Sequence, residues 1–450
     1  MKPSYILGLN SRSQLFSYKV NKAKDKKKAS AKLITKRTLK KEEIPVPELF
    51  GTFKKPQDIL TFDWQSLPNA FALKPNRGLG GEGIIVVKKK SKDHTGWITT
   101  SRKKVTVEDL KLHVQDILEG AYSIGNVPDF AFVEEFVGRH KAFRKYAFRG
   151  TPDIRVIVFN KIPIMAMLRL PTRESGGRAN LHQGAIAVGV DIATGITTRA
   201  YWHGNYIDYK PGTKRKLHGI RIPGWSTILD IAVKSQEATG LGYVGADIVL
   251  HPTKGPMVME LNAQPGLAIQ IANKAGLRRR LDKVEDLNIR DREHGIKVAK
   301  ALFSSSFASQ VKAEEEGLKT INVFEEVKIR DKDGKKIPVS AKIDTGAWRS
   351  SIDRNLAKKL GLLRRDNILW EKKVKVKSSL GRETRKVINL TFWLAGKRIT
   401  TPAGVSDRSK LKKLLIIGRK NLVGFKVAPE KVIKTKAKSP AKTTKKPGNK

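Results

Sequence analysis

Four groups of residues in this chain have the types and spacing that chemistry requires. Lys74 opens KPNRGLGGEGIIVV, residues 74–87, in which Gly78, Gly80 and Gly83 match G-x-G-x-x-G letter for letter. A strand-end ammonium beside bare backbone N–H groups can hold phosphate oxygens. Asp247, Glu260 and Asn262 offer only oxygen, and the i, i+2 spacing of the last two points both to one face of a strand. Set opposite Asp247 across a hairpin, they would form an oxygen cluster. Oxygen ligands suit magnesium or manganese, so the loop and this trio together predict ATP plus a divalent ion. Arg155, Arg169 and Arg178 lie in DIRVIV, MLRL and GRANLHQG, where guanidinium groups could stabilise a transferring phosphoryl group. The fourth group is Asp344 in KIDTGAWRSSI, a carboxylate following an apolar strand.

The elements that must position these residues are legible in outline. AFALKPN and GIIVVKK have β-branched, apolar character on either side of the glycines, so the unit reads strand, loop, strand. A dinucleotide-binding turn would open a helix instead, which makes the G-x-G-x-x-G lettering a coincidence. Thr106 and Asp109 form a capping box ahead of a helix with Leu110, Val114, Ile117 and Leu118 on one face. FAFVEEFV and DIRVIVFNKIPIMAMLRL read as strands, and GADIVLHPTKGPMVMELNAQPG as a hairpin. Residues 12–42 are rich in Lys, Ala and Leu without Gly or Pro and read as one or two basic helices. The expected organisation is a basic helical segment over 1–45, a nucleotide-binding domain over 46–275 and a charged helical linker over 276–318. A compact β domain over 319–428 and a disordered lysine-rich tail over 429–450 complete it.

Composition bounds the rest. A chain of 450 residues, 39% hydrophobic, can bury two or three cores. With no cysteine, disulfides, thiolate metal sites and cysteine nucleophiles are excluded, which fits a reducing interior. The N-terminus lacks a signal-peptide pattern and no run approaches the roughly 18 apolar residues of a membrane helix, so a cytoplasmic location without membrane insertion is expected. Lys and Arg number 90 against 42 acids, a net charge of +48 that could attract polyanions, above all through the tail.

In KPNRGLGGEGI, VEEFV, DIRV, GRANLHQGA, GADIV and MELNAQPGL, in that order, the chain resembles the ATP-grasp superfamily, specifically RimK-like alpha-L-glutamate ligases and a shortened branch related to them. The resemblance spans roughly residues 20–275 and implies an α+β or α/β ATP-grasp fold. It implies that Lys74, Gly80 and Gly81 grip ATP phosphates and that Glu135 and Phe136 form the adenine hinge. Asp153, Arg178 and Asn180 would make further nucleotide contacts, Arg178 with a catalytic role, and Asp247, Glu260 and Asn262 would hold magnesium. The implied activity is ATP-dependent ligation of a carboxylate to an amine through an acyl phosphate, with glutamate or a similar amino acid and a protein or peptide acceptor as partners. One departure is that only about 70 residues precede Lys74, fewer than the α/β domain usual in such ligases.

KIDTGAWRSSI, VKSSLGRETRKVI, VSDRSKLKKLL and LLIIGRKNL make residues 320–427 similar to the RimB-like retropepsin-fold family, often labelled ATP-dependent zinc proteases. That similarity implies a small all-β, acid-protease-like domain with Asp344 as its water-activating carboxylate. The mechanism needs two carboxylates sharing a proton, so activity would require a homodimer. Every His lies at or before His294, so no zinc site is expected there. Two other readings stay open: an aspartic-type peptidase with a regulatory ATP domain, and a basic nucleic-acid-associated protein with a vestigial ATP site.

Overall fold

The computed structural model describes residues 3–78, 81–304, 317–375 and 382–429. Gly80, the linker stretch 305–316 and the lysine-rich tail from residue 430 lie outside the described residues. Contacts divide the chain into two compact units, Met1–Ala308 and Ser309–Lys450.

The first unit holds two antiparallel sheets. One contains β1 (Leu49–Phe53), β2 (Phe71–Pro75), β3 (Ile85–Lys90), β4 (Trp97–Thr99), β5 (Lys104–Val105) and β6 (Ala131–Glu135), in the order β1-β6-β2-β3-β4-β5. Its strands alternate, so one face buries Phe53, Phe71, Leu73, Val87 and Val133. That face receives Leu110, Val114, Ile117 and Leu118 of the helix Val107–Leu118. The capping box starts this helix as its sequence requires: Asp109 N–H donates to Thr106 Oγ1 at 3.2 Å and Thr106 N–H to Asp109 Oδ2 at 2.8 Å.

The second sheet contains β7 (Asp153–Phe159), β8 (Ile162–Leu170), β9 (Ile186–Val190), β10 (Thr197–Trp202), β11 (Asn205–Ile207), β12 (Tyr243–His251) and β13 (Gly255–Asn262), in the order β11-β10-β9-β8-β7-β12-β13. Period-2 alternation gives Asp153, Arg155 and Asp247 one face and leaves Ile154, Val156, Ala246 and Ile248 for the other. The helix Trp225–Thr239 packs against β7 and β12, and the helix Arg292–Phe303 against β8. The N-terminal residues form short helices, among them Ala23–Ser30 and Lys32–Lys41, and the latter packs on both β13 and the helix Trp225–Thr239.

In the second unit, β14 (Lys319–Asn322) pairs in parallel with a last strand, Phe425–Ala428. Between them run β15 (Phe324–Arg330), β16 (Lys336–Asp344), β17 (Ser351–Asp353), β18 (Ile368–Lys375), β19 (Arg382–Leu394), β20 (Lys397–Ser406) and β21 (Leu415–Gly418). Their order is β15-β16-β21-β17-β20-β19-β18, and β15 also pairs with β19, which curls the sheet around a core of Val327, Ile329, Ile343, Leu390, Phe392 and Leu415. Among the described residues no helix is long and apolar enough to cross a membrane.

The far end of the glycine loop is pinned by the helix Val107–Leu118, since His113 Nε2 lies 2.8 Å from the Gly83 carbonyl oxygen. Gly83 has φ +66°, and a Cβ there would stand 2.5 Å from Cγ of Tyr122, whereas at Gly81 (φ +85°) the nearest atom would be Arg178 Cδ at 3.7 Å. We expect Gly83→Ala to cost about 2–4 kcal/mol, combining left-handed strain with the ring clash, and Gly81→Ala only the strain, about 1–2 kcal/mol. Urea unfolding of the two variants checks this, and equal losses would remove the Tyr122 contact as the cause.

Candidate nucleotide site

A cleft of about 1600 Å³ opens between the two sheets of the first unit. Lys74, Gly81, Glu135, Phe136, Asp153, Arg178, Asn180, Asp247, Glu260 and Asn262 all line it. Residues far apart in the chain thus converge because β2, β6 and the glycine loop form one wall while β7, β8, β12 and β13 form the other. Gly80 is outside the described residues, and Asp344 belongs to the second unit.

Beneath the glycine loop, Lys74 on β2 pairs with Glu134 on the adjacent strand β6, diagonally, since register sets Phe132 opposite Lys74 and Glu134 opposite Ala72. Glu134 is fully buried, and its second carboxylate oxygen lies 2.6 Å from Lys36 Nζ, itself buried on the helix Lys32–Lys41. Burial works against ionisation of Glu134, yet Lys74 and Lys36 outweigh it and hold the carboxyl below its usual range. Lys36 shifts down, first through burial and then through its neighbour Lys74, against the pull of Glu134. One turn earlier, Lys32 donates to the Gly78 carbonyl at 3.1 Å and lies 3.8 Å from Glu260. The start of the helix is tied to the loop by Leu33 N–H donating to Asn76 Oδ1 at 2.9 Å.

The opposite wall carries a row of paired charges. Arg155 grips Asp247 through Nε to Oδ1 at 2.7 Å and Nη2 to Oδ2 at 2.6 Å. Arg169 grips Asp153 in the same forked way and also reaches Asp247 Oδ2 with Nη2 at 2.8 Å. Asn262 donates to the same oxygen at 3.2 Å. The register explains the row: Asp153 faces Arg169, and Asp247 stands between Arg155 and Glu260. For Asp247 burial pushes the pKa up, but two guanidinium groups overcome it and take it down to about 2. For Asp153 burial prevails over Arg169 with help from the adjacent Asp247 charge, and its pKa rises to about 6.

The oxygen trio therefore differs from the open cluster that its spacing suggests. Asp247, Glu260 and Asn262 do meet at one wall, but Asp247 is engaged by two arginines because a buried carboxylate needs compensation. Among the described residues no three His, Cys, Asp or Glu gather as a metal cluster. The donor chemistry still fits a hard dication, because Asp247 Oδ1 meets one N–H donor and carboxylate oxygens carry two lone pairs each. Arg155 and Arg169, expected to face a phosphoryl group, instead neutralise Asp247 and Asp153, whereas Arg178 lines the cleft beside Gly81.

Glu135 ends β6 at the edge where the two sheets approach. Its N–H donates to the Glu48 carbonyl at 2.8 Å, and Lys254 and His251 from the β12–β13 hairpin hold its carboxylate. Asn180 Oδ1 accepts the His182 N–H at 3.0 Å and caps the turn that carries Arg178 past the glycine loop. Sequence reasoning missed Lys32, Lys36 and Glu134. No local signal sets them apart, since Lys28 and Lys40 continue the i, i+4 spacing of the two lysines.

Asp247→Asn would leave Arg155 without a counter-charge and should cost about 3–5 kcal/mol at neutral pH. The native Asp247 carboxyl titrates lower than its unfolded value of 3.8, so its contribution is full above about pH 4 and is lost as pH falls towards 2. The gap between wild type and variant in urea melts should therefore narrow below about pH 4. A gap independent of pH would contradict the assigned pairing.

The sugar-transfer associated ATP-grasp family model matches residues 11–286, more than half of the chain and nearly all of the first unit. A probable alpha-L-glutamate ligase of Xanthomonas oryzae pv. oryzae is 26% identical over 200 residues, 44% of this chain and 45% of that protein. The ribosomal protein bS6 L-glutamate ligase of Salmonella newport is 33% identical over 115 residues, 26% of this chain and 27% of its own. The chain thus spans less than half the length of these curated relatives. Among solved structures, a D-alanine–D-alanine ligase from Bacillus anthracis complexed with ATP is 15% identical with a TM-score of 0.34, covering 58% of this chain and 65% of that one. A Legionella pneumophila protein of unknown function is 18% identical with a TM-score of 0.17, covering 26% of this chain and 98% of its own. With more than half of its length matched by that one family model, the chain belongs to the sugar-transfer associated ATP-grasp family.

Proposed function

We propose that this protein is an ATP- and magnesium-dependent carboxylate–amine ligase that attaches glutamate or a similar amino acid to a protein or peptide. The observation that carries the reading is the convergence of every described candidate residue of the first unit on one cleft. The names of the glutamate-ligase relatives support the substrate class.

In this reading an acceptor carboxylate oxygen attacks the γ-phosphorus of ATP, ADP leaves, and an acyl phosphate forms. The amine nitrogen then attacks the acyl carbon, and the C–O bond to phosphate breaks as the C–N bond forms. Lys74, the amides around Gly80 and Gly81, and Lys32 grip phosphate oxygens. Glu135 and Phe136 frame the adenine, with Asp153 and Asn180 as further nucleotide contacts. Arg178 faces the transferring group as the catalytic cation, and no nucleophilic side chain is required because positioning and charge neutralisation supply the rate. Asp247, Glu260 and Asn262 would hold magnesium, which when bound neutralises phosphate charge. Glu134 holds Lys74 in place and Lys36 braces Glu134 from the other side.

We read the second unit as a retropepsin-like domain. Supporting this, Asp344 ends β16 and accepts the N–H groups of Gly346 and Ala347 at 3.0 Å, while β16 pairs in parallel with β21 so that Asp344 faces Gly418. The two segments that the sequence similarity joins, D-T-G-A and the apolar run before Gly418, are thus neighbours.

Purified protein with ATP, magnesium, single amino acids and acidic peptides should form ADP and a product heavier by one residue. Lys74→Ala should lower kcat/KM on the order of 100-fold, as removal of a preorganised charge does elsewhere. If no amino acid or peptide stimulates ADP formation and Lys74→Ala changes nothing, the ligase reading fails. Asp344→Ala should leave ADP formation unchanged while removing any peptide cleavage. A parallel loss of ligation would instead make the second unit part of the ligase.

A further inference from the structure

Between residues 319 and 428 the second unit has 29 basic against 10 acidic residues. Five of these cations, Lys328, Arg330, Lys336, Lys342 and Arg398, lie at exposed positions of one sheet face. β15 alternates strictly, so Phe324, Glu326, Lys328 and Arg330 point outward while Glu325, Val327 and Ile329 are buried. Register places Lys342 opposite Phe324, Lys336 opposite Arg330, Trp393 opposite Lys328, and Arg398 opposite Trp393. Two aromatic rings stand among these cations. Phe324 is 50% exposed with Lys413 Nζ 5.5 Å from its centroid. Trp393 has Lys336 Nζ at 4.6 Å and the Arg398 guanidinium at 5.8 Å from its centroid.

Like charges directly opposite each other on a sheet are unfavourable, and Arg330 with Lys336 is such a pair. Among the described residues of β15 and β16, Glu326 is the outward carboxylate, with Asp344 at the far end of β16. The face is therefore built for a polyanion, and its rings add something that a purely acidic partner would not use. Cations that track a phosphate backbone together with aromatic faces on a sheet are the two parts of a single-strand platform.

We propose that the outward face of β15, β16, β19 and β20 binds single-stranded nucleic acid, with phosphates on Lys328, Arg330, Lys336 and Arg398 and bases stacked on Trp393 and Phe324. This role is independent of the ATP cleft and needs no nucleotide.

The test uses the full chain without ATP and a fluorescent single strand of about 20 nucleotides, longer than a typical single-strand site, as RNA and as DNA. Anisotropy followed from about 50 to 200 mM salt should show log affinity falling linearly with log salt. Trp393→Ala and Phe324→Ala should each weaken binding about 5- to 100-fold while keeping the salt slope. The double variant Lys336→Gln, Arg398→Gln should reduce that slope by roughly 1.4, about 0.7 for each phosphate no longer neutralised. Circular dichroism checks that the variants remain folded. If the face variants bind like wild type, the affinity resides elsewhere in this basic chain and the proposal falls. It falls equally if polyglutamate of matched charge displaces the strand and the aromatic variants have no effect, because the surface would then read charge alone.

Discussion

Buried charges need partners, and the candidate site is arranged around that requirement. Asp153, Arg155, Arg169 and Asp247 stand side by side on the cleft face of the second sheet, where an unpaired ion would cost several kcal/mol. Alternating their signs across neighbouring strands allows each charge to compensate the next. Glu134 does the same on the first sheet, with a lysine at each carboxylate oxygen. These networks hold the walls at a defined geometry and keep the polar groups aligned. The arrangement also divides the cationic groups into two kinds. Arg155 and Arg169 are occupied by carboxylates, whereas Arg178 lines the cleft beside Gly81.

The N-terminal segment is part of this arrangement. Arg12 donates to the carbonyls of Gln264 and Pro265 at 3.2 Å, and Ser17 to that of Ala263 at 3.0 Å, just past β13. Farther along, Lys32 and Lys36 engage the glycine loop and Glu134. This one stretch, from Arg12 to Lys36, therefore touches both walls of the cleft.

The second unit answers a different physical problem. Its sheet curls back so that β15 meets β19, and this buries a continuous apolar core that includes Val327, Phe392 and Ile417. The outer surface then carries the excess positive charge. Strict alternation along β15 separates the two requirements, with every second residue in the core and the intervening ones in water.

Much of the local architecture was legible in the sequence because it rests on short-range rules. The hairpin of β12 and β13 follows from two apolar runs around a turn, the helix at Val107 from the Thr106–Asp109 capping box, and the strand after the glycines from its β-branched residues. Asp247, Glu260 and Asn262 could be placed together because period-2 geometry and a hairpin leave little freedom. No local pattern announced that Asp247 and Asp153 would be held by Arg155 and Arg169, since that pairing depends on the register between β7, β8 and β12. Lys36 looked like one lysine among many in a solvated helix, and Glu134 like the lesser of two adjacent acids. Residue type and local periodicity determined which groups could do chemistry and which elements would carry them. Only the tertiary structure decided which charges are neutralised and which are left to face the cleft, because ion pairing acts through space between residues whose separation in the chain carries no signal.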